Sequence, residues 1–172
     1  MLYWLNVKHR KTMNKICLFF NHTAFLNRQF GIVPLMYGSL GLEYLTAANL
    51  NADDIDILIP ETFLNERWNE FRKVLEAEGY VLTDVNEHAF EKDGVSYAYA
   101  GIEDLTPFAG ITMDEIEVRK EEDVSFRLLN LLQYLKVYLA SEKDGYRVHE
   151  RGKKDHEKIT LIRKYMALHE QK

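Results

Sequence analysis

The run Asp54-Ile55-Asp56-Ile57-Leu58-Ile59 constrains this chain more than any other stretch. Isoleucine dominates it, Pro60 stops it, and its length is that of one strand. Side chains of a strand alternate between faces. Ile55, Ile57 and Ile59 are therefore expected in a core, while Asp54 and Asp56 project together from the opposite side, their Cα atoms about 6.5 Å apart. Carboxylates that close repel one another, and a divalent cation relieves the conflict; Mg²⁺ typically takes one or two carboxylates together with substrate phosphates. A solvated edge strand that happens to carry two acids is the plainer reading of the same residues.

A second feature lies just upstream. Ile32 to Tyr37 reads as a short buried strand, with Pro34 near its start indicating an edge position or the point where the chain joins the sheet. Gly38-Ser39-Leu40-Gly41 breaks it, and Leu42 to Ala48 can form a short helix. Glycine allows close approach of backbone to a ligand or a turn with positive φ. Serine can cap a helix or donate its hydroxyl to a phosphate, and free N–H groups at a helix start favour anions. An ordinary strand-to-helix turn uses the same residues.

The rest of the chain supplies a frame for these two features. Residues 14–29 have mostly helical spacing and end at Gly31. Residues 61–78 form an amphipathic helix, with Phe63, Leu64, Trp68, Phe71, Val74 and Leu75 on one face and Gly79 as its stop. Tyr80–Thr83, His88–Glu91 and Val95–Ala100 alternate as strands do, the last two joined by a hairpin at Lys92-Asp93-Gly94. Residues 101–122 read as loop. The spacing of Val124, Leu128, Leu131, Leu132, Leu135, Tyr138 and Leu139 predicts one continuous helix over 124–139. A polar connector from Ser141 to Lys154 precedes a final helix bearing Ile159, Ile162, Tyr165 and Met166. The expected class is α/β of the α+β kind: a mixed sheet with flanking helices and a C-terminal helical segment. One domain over 1–172 is expected, its sheet-containing part about 14–110 and its helical tail about 122–170.

Composition excludes several functions. With 22 basic against 27 acidic residues the net charge is −5, which argues against a broad nucleic-acid surface. A compact site that meets phosphates through a metal needs no basic excess. The single cysteine, Cys17, cannot form an internal disulfide and reads as a small buried apolar residue. The six histidines are scattered, with no pair at metal-binding spacing, and read as structural or exposed. Basic residues 8–11 precede only five apolar residues, Ile16 to Phe20, too few for a signal peptide, and no stretch has membrane-span length. The cytoplasm is the expected compartment.

Taken together, the strand, the Gly38-Ser39 turn, the short helix and the strand opening on Asp54 and Asp56 resemble the hallmark of the DNA polymerase β-type nucleotidyltransferase superfamily. The nearest likeness is to its small bacterial members, which include antibiotic-adenylylating enzymes and partners of toxin and phage-defence systems. The resemblance implies that Gly38 and Ser39 hold the triphosphate of a nucleotide and that Asp54 and Asp56 bind Mg²⁺ or Mn²⁺. An acceptor hydroxyl on a small molecule or protein would then receive a nucleoside monophosphate. Active members carry a third carboxylate on a later strand, and Val95 to Ala100 holds none; Glu91, Glu103 and Asp104 are the candidates to replace it. Small members also carry a Lys-Asp pair opening a late helix, matched by Lys154-Asp155, so that Lys154 would reach phosphate oxygens. The alternative is Asp155 as the cap of that helix, with Lys154 in a solvated connector. Lys136 and Arg147 are further basic candidates. Two readings follow: a nucleotidyltransferase, or a binding or regulatory relative, antitoxin-like, with a protein partner and little or no turnover.

Overall fold

The period-two stretches pair into one mixed sheet in the computed structural model, which describes the backbone of residues 2–169 and the side chains of 15–144 and 152–169. Its strands are β1 (Leu35–Met36), β2 (Ile55–Ile59), β3 (Val81–Asp84), β4 (Ala89–Lys92), β5 (Val95–Gly101), β6 (Glu117–Glu121) and β7 (Val124–Leu128). They lie in the order β3-β4-β5-β2-β1-β7-β6. β2 runs parallel to β5 and β1 parallel to β7, and the remaining neighbours are antiparallel. Among the described residues six α-helices accompany the sheet: α1 (Leu2–Phe30), α2 (Gly38–Thr46), α3 (Trp68–Ala77), α4 (Leu105–Ala109), α5 (Leu131–Lys143) and α6 (Gly145–His169). The α+β class is as expected. No helix of the described residues is long and apolar enough to cross a membrane.

Alternation along β2 sorts the molecule into two buried layers. Ile55, Ile57 and Ile59 join Phe19 and Leu26 of α1, Phe71 and Leu75 of α3, and Tyr97 and Tyr99 of β5. Leu58 faces the other way, with Leu35 of β1, Tyr134 and Val137 of α5, and Ile159 and Ile162 of α6. Asp56 shares the Leu58 face, so the layer containing α5 and α6 is the one that flanks it.

Several expectations are corrected. Residues 124–139 are not one helix: β7 ends at Leu128, and α5 starts at Leu131 behind Asn130, whose side chain accepts from Gln133 N–H. Val124-Ser125-Phe126-Arg127-Leu128 alternates apolar and polar, and its hairpin partner Glu117-Val118-Arg119-Lys120-Glu121 turns part of the presumed 101–122 loop into a charged edge strand. α4 and two short 3₁₀ turns occupy more of that loop. Of the two positions expected for Pro34, the structure takes the point where the chain joins the sheet: it directly precedes the central strand β1, its carbonyl accepting from Arg127 N–H at 2.8 Å. Cys17 is exposed. α6 begins at Gly145, so Asp155 is no cap: it is buried within the helix and accepts from Ser141 Oγ at 2.6 Å, tying α6 to α5.

The strand assignment is testable. Leu128 is 1% exposed and Leu132 is 53% exposed, although both belong to the apolar stripe. Leu128→Ala is expected to cost about 2–5 kcal/mol in urea unfolding, and Leu132→Ala no more than about 0.5 kcal/mol. Equal costs at the two sites would contradict this packing.

Candidate functional site

The Gly38-Ser39 turn and the aspartate strand meet in space. Tyr37 is extended, its N–H donates to Asp56 O at 3.0 Å, and Gly38 then takes φ +63° as α2 begins. A Cβ on Gly38 would collide with the Asp56 carboxylate and come within 3.2 Å of its Cγ. The Asp56 side chain therefore packs directly on the first residue of α2, and glycine is required there twice, for its φ and for its bareness. Gly41 is similar: a Cβ would strike the Tyr134 hydroxyl and the Met36 carbonyl, so α2 lies close on β1 and α5. The Tyr134 hydroxyl donates to Met36 O at 3.3 Å. Burial, above all, pushes that phenol well above its ordinary pKa, with Tyr138, Tyr37 and Asp56 adding to the effect.

Ser39, Asp54, Asp56 and Lys154 line one cleft of about 410 Å³, a volume in the range of small-molecule sites. They come from four places: the start of α2, the bend before β2, β2 itself and α6. Asp53, Glu157 and Lys158 complete the charged lining. Lys154, Glu157 and Lys158 follow helical i, i+3, i+4 spacing and so share a face of α6. Lys158 also lies 3.9 Å from Asp155 Oδ1 and over the ring of Tyr138. Four carboxylates and two ammonium groups give the cleft a net negative charge that suits a cation.

The candidates for a third acid lie elsewhere. Asp56 pairs with Ala98 of β5, and the same-face neighbours Ser96 and Ala100 bear no carboxylate. Glu91 pairs with Ser96 on β4, exposed and two strands, about 10 Å, from the row of Asp56. Glu103 Oε2 accepts from Glu61 N–H at 2.9 Å beyond the far end of β2, and Asp104 stands beside it before α4. Lys136 lines a separate groove with Phe108 and Leu139, and the Arg147 side chain lies outside the described residues.

Among the described residues, no group of three or more His, Cys, Asp or Glu side chains has an arrangement that could hold a metal by itself. Asp54 and Asp56 both line the cleft, and a Mg²⁺ or Mn²⁺ ion beside them would need phosphate and water oxygens to complete its shell, which is how Mg²⁺ is usually held.

The sequence reading passed over two buried charges. Lys15 of α1 is 8% exposed and donates its ammonium to the carbonyls of Ala52 and Asp53. Glu43 of α2 is 2% exposed, and its Oε1 accepts from Leu50 N–H at 2.7 Å and Ala52 N–H at 3.1 Å. The available signal was a charged residue on an otherwise apolar helix face.

No family model and no solved structure matches the chain. A protein of Bacillus subtilis (strain 168), described as uncharacterized protein YnaI, is 40% identical to it over 146 residues, covering 85% of this chain and 94% of that protein. At that identity and coverage, the chain belongs to the family of YnaI.

Proposed function

We propose that the cleft binds a nucleoside triphosphate with Mg²⁺ and that the protein is a nucleotidyltransferase, passing a nucleoside monophosphate to a hydroxyl of a small molecule or protein. The observation that carries this reading is the convergence of Ser39, Asp54, Asp56 and Lys154 on one cleft, with Gly38 bare against Asp56. Gly38 and Ser39 offer backbone N–H groups and a hydroxyl to phosphate oxygens, and Lys154 offers a point charge. Asp54 and Asp56 would hold Mg²⁺, which when bound would supply charge neutralisation at the phosphates. The acceptor hydroxyl attacks the α-phosphorus, the bond to pyrophosphate breaks, and the hydroxyl proton passes to a base. Positioning and electrostatics do most of the work.

A second reading, a nucleotide-binding regulatory relative with little turnover, is favoured by one observation: β5 presents Ser96, Ala98 and Ala100 where a third acid would face Asp56. Asp53 and Glu157 are the remaining carboxylates in the cleft.

Thermal unfolding tests binding. NTP with Mg²⁺ or Mn²⁺ is expected to stabilise the protein, by about 2.7 kcal/mol at one hundred times Kd. The Asp54→Asn/Asp56→Asn variant is expected to fold and lose that gain; an undiminished gain would sink the assignment. Pyrophosphate release from each of the four NTPs, with cell extract as a source of acceptors, separates the two readings. For an enzyme, the amide variant of Asp53 or Glu157, the remaining carboxylates of the cleft, is expected to abolish release while NTP binding persists, and those of Glu91, Glu103 and Asp104, which lie outside it, are expected to leave release intact. Binding by the wild type without release from any NTP establishes the second reading.

A further inference from the structure

We infer that Lys15 and Glu43 are positioning residues that grip the loop before β2 from two sides and so set Asp54 in the cleft. As a statement about metal and nucleotide, this rests on the reading above; as a statement about the loop, it stands alone. Glu43 Oε1 takes the N–H groups of Leu50 and Ala52, while Lys15 Nζ takes the C=O groups of Ala52 and Asp53, the latter at 2.7 Å. The Asp53 carbonyl belongs to the peptide joined to the Asp54 Cα, so Lys15 restrains the plane from which Asp54 departs. Ala52 is held at both of its polar groups.

Chain geometry makes such a grip necessary. Asp54 lies in a bend before β2 and has no place in the strand ladder, which begins at Ile55. The loop also contains Asn51 at φ +54°, a left-handed position that asparagine tolerates and that its N–H to Asn49 Oδ1 contact supports locally. Glu43 is one helical turn beyond Ser39, so α2 presents Ser39 to the cleft and, through Glu43, holds the loop that carries Asp53 and Asp54. Phosphate-side and metal-side groups thereby move as one body. Glu43 is retained at a cost, since its Oε2 is buried with no hydrogen-bond partner among the described residues. A carboxylate buried with one idle oxygen is a poor choice for filling space and a strong acceptor for two amides.

Two measurements on the full chain test this. In the first, amide hydrogen exchange without ligand, Lys15→Met and Glu43→Asp are expected to speed exchange at Leu50 and Ala52 tenfold or more. Ile57 and Ile59 are expected to remain protected. Glu43→Asp keeps the charge, withdraws the carboxylate by one methylene, and serves if Lys15→Met does not fold. Unchanged exchange at Leu50 and Ala52 in a folded variant overturns the inference, whether or not nucleotide binds. The second is the Mg²⁺ concentration giving half-maximal stabilisation by saturating ATP. Groups that orient metal ligands typically contribute 10–100-fold in metal affinity, so a rise of that order is expected in Lys15→Met and a smaller one in Glu43→Asp. Glu43→Gln, which keeps an acceptor oxygen, is expected to stay within about threefold of wild type. A wild-type Mg²⁺ requirement in folded Lys15→Met and Glu43→Asp refutes the positioning role. Absence of any ATP–Mg²⁺ stabilisation in the wild type refutes instead the nucleotide reading, and the exchange result then decides the loop grip by itself.

Discussion

Gly38→Ala is expected to weaken NTP–Mg²⁺ binding by at least about a hundredfold, or about 2.7 kcal/mol, while Gly31→Ala leaves binding unchanged. Both glycines have positive φ, +65° at Gly31 and +63° at Gly38, so alanine pays the left-handed backbone penalty of roughly 1–2 kcal/mol at either site. What differs is the space around the added methyl. Nothing lies within 4 Å of a Cβ on Gly31, whereas a Cβ on Gly38 runs into the Asp56 carboxylate. The chain can accept it only by moving Asp56 or the start of α2, and either movement displaces Gly38 and Ser39 relative to Asp56 in the proposed nucleotide site. Calorimetric titration with NTP and Mg²⁺ checks the binding, and urea unfolding of both variants checks that the backbone penalty is shared. A Gly38→Ala protein that binds within threefold of wild type would remove the Gly38–Asp56 contact from the site.

The second large effect is acid lability centred on His22, 2% exposed in the layer between α1 and the sheet. Its Nδ1 lies 2.7 Å from the Tyr80 hydroxyl and its Nε2 2.5 Å from that of Tyr99, with the rings of Phe25 and Tyr97 alongside. A neutral imidazole satisfies both contacts, donating from one nitrogen and accepting at the other. Burial first, and then the Lys92 charge, lower its pKa from 6.5 to about 3. Between those values the unfolded chain binds a proton at His22 that the folded chain refuses, so stability falls with acidity across that window and the contribution is fully present above pH 6.5. The slope is about 1.4 kcal/mol per pH unit, and the whole window amounts to something on the order of 4–5 kcal/mol. Urea unfolding at several values between pH 7.5 and 4, wild type against His22→Phe, isolates this slope from the background of carboxylate titration. Parallel slopes for the two proteins below pH 6.5 would mean that His22 is not the buried neutral base inferred from its contacts.

The elements legible in the sequence are those whose pattern is local. β2 announces itself through Ile55, Ile57 and Ile59 closed by Pro60, and β4 and β5 through the turn at Asp93-Gly94, where both residues have positive φ. α3 followed from its apolar face, although its first turn starts at Trp68 rather than near residue 61, because Pro60 and a 3₁₀ turn over Glu61–Phe63 intervene. β7 was hidden for a physical reason. Val124 and Leu128 are four residues apart, which satisfies a helix, and two strand periods apart, which satisfies a sheet equally well. Phe126 between them breaks the tie, since its ring is fully buried beside Phe19 and Phe20 of α1.

Residue identity by itself determined the pieces: two acids two positions apart, which the sequence placed in one strand although Asp54 lies in the bend before it, and a glycine and serine that open the helix after another strand. Only the tertiary structure decided what those pieces face. Register sets Ala98 opposite Asp56 and leaves β5 without an acid there. The packing of Ile159 and Ile162 against Leu35 and Leu58 turns one face of α6 toward the cleft, so Lys154 arrives with Glu157 and Lys158 from about a hundred residues away along the chain. Lys15 and Glu43 reach the same loop from separate helices. Periodicity records whether a residue points inward or outward. It carries no information about which distant surface lies on the other side, because that depends on the summed packing of elements far apart in sequence.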